Sequence, residues 1–421
     1  MARKQRVLKL RSEQLKREGN LLRLGLFALV SLSLNFAAHP IANAQSKSQS
    51  SPNAPATNAT TGSLSTTSAL APRVREFQLF YRSNLGARSF ANAKEQSQFT
   101  GLGLDLDTRV RLLPRLSARA RAGLSLNSGY AQSQFGDKSP RSGVTMREAH
   151  LTWKAIDGET LRLGIRAGAI DQDSLNASLL VEGQPFPGVV ERLEVGNENF
   201  TLALAAQQAI PTSSTLSTRA VESEVTPSFT TETAELEIHP WEGLTGKLFA
   251  THYRFTSLPS TVAIDSQALG NTIVELGPNT SRFRYEFDGF VAGGELNMRL
   301  SNSLSWSVSG HMLQNSKAPE TYRNGQLVRT EFSLALPGDV DLKPGAEMFF
   351  LESDATPGFY ASAERGQTNR HGWAADLGLW FREERFKVSG RYAEADVINT
   401  SLIQTAQRYF MIRFETFYEK L

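Results

Sequence analysis

From residue 73 to the C-terminus the sequence alternates apolar and polar residues with a period of two, and that alternation limits what the chain can fold into. In "GLGLDLDTRVR" (101–111), Leu102, Leu104, Leu106 and Val110 fall on one parity and Asp105, Asp107, Arg109 and Arg111 on the other. In "TLRLGIRAG" (160–168), Leu161, Leu163 and Ile165 oppose Arg162, Gly164 and Arg166. Near the end, Phe410, Ile412, Phe414 and Tyr418 alternate with Met411, Arg413 and Glu415. Side chains two apart share one face of a strand, whereas helical neighbours are three and four apart. Wound as a helix, "LSARARAGLSLN" (116–127) would put Leu116 beside Arg119 and Arg121 beside Leu124, leaving no clean face. As a strand it separates Leu116, Ala118, Ala120, Ala122, Leu124 and Leu126 from Ser117, Arg119, Arg121, Ser125 and Asn127.

The connections carry a second signal. Sixteen segments read as strands, the first at 75–83 and the last at 405–418, with 14 or 18 if a hairpin hides in 256–281 or 353–370. Every second connection is short ("LLPR", "IDGE", "GNE", "HPWEG", "SNS", "PGDVD", "EE"), and the intervening ones read as longer and polar. That asymmetry describes an up-and-down antiparallel barrel with a turn face and a loop face. A soluble sandwich would need a second sheet to cover sixteen apolar faces. In a membrane the lipid covers them, and closure satisfies every backbone N–H and C=O. The fold class expected is therefore all-β, a transmembrane β-barrel. Trp153, Trp306, Trp373, Phe287, Phe381 and Tyr418 fall near strand ends, where an aromatic girdle belongs.

The N-terminus carries Arg3, Lys4, Arg6, Lys9, Arg11, Lys16, Arg17 and Arg23, then the apolar "LGLFALVSLSL" (24–34) and the small residues of "ANAQ" (42–45). That order reads as a secretory signal over 1–44. Residues 45–72, rich in Ser, Thr, Ala, Asn and Pro, hold too little apolar surface to fold and read as a periplasmic tether. The chain's net charge of +3 resides in the signal, since the remainder holds 37 basic and 40 acidic residues. A nucleic-acid partner loses its electrostatic basis. With no cysteine, disulfides and thiolate metal sites are excluded.

Residues 73–421 resemble the porins of Gram-negative outer membranes. The likeness rests on the strand layout and on "MREAHLTWKAIDGETLRLGIRAG" (146–168), similar to the hairpin that precedes the third loop in many porins. Porin chains usually end on a Phe or Trp read by the barrel-assembly machinery; this chain departs from that and ends "FETFYEKL", which fits only with Tyr418 standing in for the terminal aromatic and Glu419–Leu421 overhanging. The resemblance implies a passive channel for small hydrophilic solutes, contact with outer-membrane lipid and lipopolysaccharide, and a homotrimer. It also implies that the third loop (169–188) folds inward and narrows the pore.

Parity then nominates the lumen. Arg109, Arg111, Arg119, Arg121, Arg162 and Arg166 form a basic wall, with Lys154, Glu148, His150, Asp105 and Asp107 among them. Asp171, Asp173 and Glu182 of the loop face them, while Leu175, Leu179, Leu180, Phe186 and Pro187 supply its packing face. Such opposition would set a transverse field that selects by charge. The simpler reading is that neighbouring charges pair across strands. A selective channel for anions, sugars or hydrocarbons is the alternative function. A barrel with an enzymatic or adhesive role is the lesser reading, and for an enzyme the histidines and serines show no catalytic spacing. "DQDSLN" (171–176) lacks the glycine and distal glutamate of a calcium loop. No cofactor and no metal is expected.

Overall fold

The computed structural model describes residues 76–93, 96–132, 142–175, 178–212, 224–277 and 280–420. The signal (1–44) and the tether (45–72) lie outside the described residues, as does the side chain of Leu175. Sixteen strands form the wall. They are β1 (Glu76–Asn92), β2 (Gln96–Leu113), β3 (Leu116–Gln132), β4 (Gly143–Asp157), β5 (Leu161–Asp171), β6 (Pro185–Gly196), β7 (Phe200–Ala209) and β8 (Ser228–Trp241). The second half comprises β9 (Leu244–Thr256), β10 (Phe287–Arg299), β11 (Leu304–Asn315), β12 (Asn324–Leu336), β13 (Val340–Leu351), β14 (Arg370–Phe381), β15 (Phe386–Val397) and β16 (Gln407–Thr416). Each strand pairs antiparallel with its sequence neighbours. β1 closes on β16 from Asn84↔Glu415 to Asn92↔Gln407, and Glu419–Lys420 add two further pairs to β1. The sheet is a closed sixteen-stranded antiparallel barrel, so no edge is left unpaired.

Parity sorts the two faces as the alternation requires. Leu102, Leu124, Leu126, Leu248, Val328, Met348, Leu377 and Phe410 are exposed on the outside, while Asp105, Asp107, Glu148, Glu235, Glu347 and Glu415 are buried within. A soluble protein would bury the first set, so this inversion identifies the outer surface as the one that meets lipid. Trp153 and Trp373 stand exposed near strand ends, and Trp306 stacks on Phe332 at 6.3 Å.

Two other aromatics depart from the expected girdle. Phe287 is buried against Phe255 and Phe283 inside the barrel. Tyr418 lies under the Arg82 guanidinium, 4.9 Å from its ring centre, because the strand breaks at residues 417–418 and parity is lost there. Tyr418 therefore does not continue the outward row of Phe410, Ile412 and Phe414.

Two connections also differ from expectation. The first is short rather than long, since β1 runs on to Asn92 and β2 starts at Gln96. The long 257–286 connection does hold a hairpin, Ile273–Gly277 with Thr280–Phe283, but it forms a separate two-stranded sheet beside helix α1 (Ser260–Ala268) and adds nothing to the wall.

Candidate functional site: a half-filled lumen with a charged wall

The third loop folds into the barrel. It leaves β5 through a 3-10 turn (Gln172–Leu175) and crosses to the far wall, where Ser178 Oγ lies 3.4 Å from His311 Nδ1 of β11. Leu179, Leu180, Val181 and Phe186 are buried there against inward-facing Phe229, Phe249, Tyr253, Val291, Leu313 and Phe349 of β8–β13. The seventh loop (352–369) joins the same core through Tyr360, which packs edge-on to Phe186 at 5.3 Å and stacks on Phe255 at 5.8 Å. Backbone bonds lace the two loops. Glu182 N–H donates to Tyr360 C=O at 3.1 Å, and Thr356 Oγ1 donates to Leu180 C=O at 3.0 Å.

Charge pins this plug to the wall. Glu347 of β13, fully buried, accepts from Arg365 of the seventh loop and from Arg391 of β15, each at 2.8 Å. Arg365 also reaches Glu182 at 3.3 Å, and Arg391 reaches Asp376 at 2.9 Å and Glu364 at 3.2 Å. Burial pushes the Glu182 carboxyl above its ordinary range, with Arg365 opposing the rise. The Asp354 carboxyl is raised by burial too, against hydrogen bonds donated by Thr272 N–H and Oγ1.

Open space remains on the opposite side of the lumen. A cavity of about 610 Å³ lies between β1–β4, β16 and the third loop; its lining holds five arginines (Arg82, Arg88, Arg121, Arg147, Arg413) against three aspartates (Asp105, Asp171, Asp173). A second cavity of about 330 Å³ lies along β9–β13 beneath the loop, and Asp173 lines both.

The residues nominated by parity all lie on the inner face or in the inner loop, but in different settings. Arg119 pairs with Asp107 at 2.8 Å and Glu148 at 3.2 Å. Arg121 contacts Asp171 directly and lies 4.0 Å from Glu148. Arg109 holds Asp107 at 2.8 Å and covers the Phe80 ring. Arg111 and Arg162, well exposed toward the turn end, each lie 3.8 Å from a glutamate, Glu76 and Glu194. Arg166, below the root of the loop, has no ion-pair partner among the described residues. Asp173 is exposed and accepts from Gly183 N–H at 2.8 Å, whereas Glu182 faces Arg365 and not the basic wall. Lys154 pairs with Asp157 at 3.2 Å at the rim, and His150 lies 2.8 Å from Glu148.

Four of the cavity arginines lie outside the basic wall nominated by parity. Arg82 and Arg88 belong to the inward parity of β1, legible in "RSNLGAR" once the strand is carried past residue 83. Arg413 alternates with Ile412 and Phe414 in the sequence and lies on the inward parity of β16. Arg147 was hidden by a bulge opposite Arg121 and Ala122, which sends both Arg147 and Glu148 inward. Among the described residues no group of three His, Asp or Glu is arranged to hold a metal.

No family model matches the sequence, and no curated protein matches it. Solved structures do. The high-pH structure of Pseudomonas putida OprB is 13% identical with a TM-score of 0.52, covering 81% of this chain and 93% of that one. A loop-deletion form of the outer-membrane protein OmpT of Vibrio cholerae is 10% identical (TM-score 0.45; 82% and 99% covered). Pseudomonas aeruginosa OccK8 (OprE) is 11% identical (TM-score 0.44; 83% and 100% covered). With its closed sixteen-stranded wall, outward apolar face and inward third loop, this chain has the fold of the outer-membrane porins.

Proposed function

We propose that the chain forms a water-filled channel in a Gram-negative outer membrane, through which small hydrophilic solutes and ions diffuse passively. The observation that carries this reading is the open, charged side of the lumen, kept clear by a loop that packs on the opposite wall. The channel is exported by the signal over 1–44, inserted by the barrel-assembly machinery, and surrounded by phospholipid and lipopolysaccharide. Catalysis has no part in it. The arginines of the wall and the acids of the loop set a lateral field across the opening, and five arginines against three aspartates bias that field toward anions.

A second reading, a solute-selective channel, draws on the smaller cavity, where Phe249 and Leu327 adjoin Arg329, Lys247 and Glu295. Planar-bilayer recording separates the two. Ohmic current with a modest anion preference is expected; current that saturates with one solute would favour the selective channel, and absence of conductance would remove both.

A further inference from the structure

The outer face of the barrel has a notch in its apolar covering. On β6–β10 the outward parity carries Glu191, Glu232, His252, Arg254 and Asp288. Their orientation follows from their partners. Glu191 pairs with Ile165 and Ala206, Ala206 with Glu232, Glu232 with His252, and His252 with Phe290, which is exposed. Their sequence neighbours point the other way: Arg192 holds Glu235 within the lumen at 2.9 Å, and Tyr253 is buried in the core.

Glu191 lies six residues from the loop end of β6 and Glu232 four from that of β8. At about 3.3 Å per residue and a tilt near 40°, those positions lie roughly 15 and 10 Å below the strand ends. Between Glu232 and the turn end, β8 offers only Ala234, Leu236 and Ile238 to lipid, and β9 below His252 only Ala250, Leu248 and Gly246. Three outward positions span about 14 Å along a strand, well short of the roughly 25 Å apolar band of such barrels. Elsewhere the outward charges sit close to the loop end, as with Arg408 and Glu394, paired at 3.1 Å.

Lipid is a poor cover for this notch. Glu191 and Glu232 make no ion pair among the described residues, and an anionic headgroup would meet two uncompensated carboxylates. The bases lie one strand further on, where His252 and Arg254 share Asp288 at 3.0 and 2.7 Å. Acid on β6 and β8 beside base on β9 is a self-complementary order. A two-fold axis along the membrane normal, passing between β8 and β9, brings Glu232 of each copy level with His252 of the other, with Arg254 one outward position nearer the loop end. The small residues Ala234, Ala250, Ala292 and Gly294 around that axis let two walls approach closely.

We infer that, in place of the homotrimer the porin resemblance implies, the β6–β10 face is an isologous interface between two copies of this chain, closed by Glu232 against His252 across the axis. The inference rests on the membrane-spanning reading, and flotation of the full chain with lipid vesicles tests that reading separately. The sequence has no cysteine, so Ala234→Cys is a clean reporter. In vesicles, a short bismaleimide is expected to link Ala234→Cys into dimers and to leave Ala118→Cys, on the outer face of β3, unlinked. Light scattering in detergent should give the dimer mass. Glu232→Lys and His252→Glu are each expected to weaken dimerisation by about tenfold or more, and the double variant to restore it. A monomer or trimer mass, no cross-link at position 234, or failure of the charge swap to rescue would overturn the interface. If a variant fails to insert, the wild-type mass and the 234 cross-link still decide.

Discussion

Arg119 reaches Asp107 and Glu148 at 2.8 and 3.2 Å, whereas Arg88 rests 5.1 Å from the ring centre of Phe99 with no acid beside it among the described residues. Both face the lumen, yet only the second leaves its charge uncompensated. Arg88→Glu is expected to move the zero-current potential in a KCl gradient toward cation preference while leaving stability little changed. Arg119→Gln should do the reverse, with little effect on selectivity and a stability loss of about 2 kcal/mol, because buried Asp107 loses a charged donor. An unchanged potential in the Arg88 variant would remove it from the ion path. At this scale the sequence was half informative. Parity placed Arg119 and Arg121 inward, but their pairing depends on which inward residues of other elements come near, as when Asp171 of the loop root meets Arg121. Periodicity is blind to that.

Among the elements, strands were legible and loops were not. All sixteen strands follow from alternation and turn spacing because a strand's faces are set by parity alone. The inward path of the third loop, which the porin resemblance implied, depends on Leu179, Leu180 and Phe186 meeting apolar side chains from six distant strands, and no local pattern records which ones they meet. The bulge that turns Arg147 inward is likewise a property of the β3–β4 pairing. The Glu347 linkage is the plug's electrostatic anchor. Glu347→Ala strips a shared partner from buried Arg365 and Arg391 and is expected to cost about 3 kcal/mol in urea unfolding of the reconstituted protein, the low end for such a loss because each arginine keeps another acid.

The pH response of the loops has a definite sign. Asp354 and Glu182 both have folded-state pKa values raised by burial, so the folded loops bind protons more readily than the unfolded chain. Their contribution to stability therefore rises as the pH falls through the folded pKa and levels off near the ordinary carboxylate range, about pH 4. Amide exchange at 271–272 and 353–358, corrected for intrinsic rates, is expected to slow as the pH is lowered from neutral toward the ordinary carboxylate range, about pH 4. Faster corrected exchange would contradict the assignment of those carboxyls.

On the scale of the whole molecule, sixteen strands ordinarily signal a wide aqueous pore. Here an apolar core built mainly from β8–β13 and the third, fifth and seventh loops occupies one side of the bore, and the larger cavity lies on the β1–β4 and β16 side. Strand number therefore no longer measures the electrical cross-section. If the channel conducts as proposed, the low-dielectric side excludes ions and squeezes the field of an applied potential into the remaining crescent, a narrow resistor in a broad wall. Its unitary conductance should fall below that of a sixteen-stranded barrel with an unfilled bore, and Leu180→Asp, which places a charge in the packed side, should raise it as the plug loosens. The current would then report the state of the plug and not the girth of the barrel.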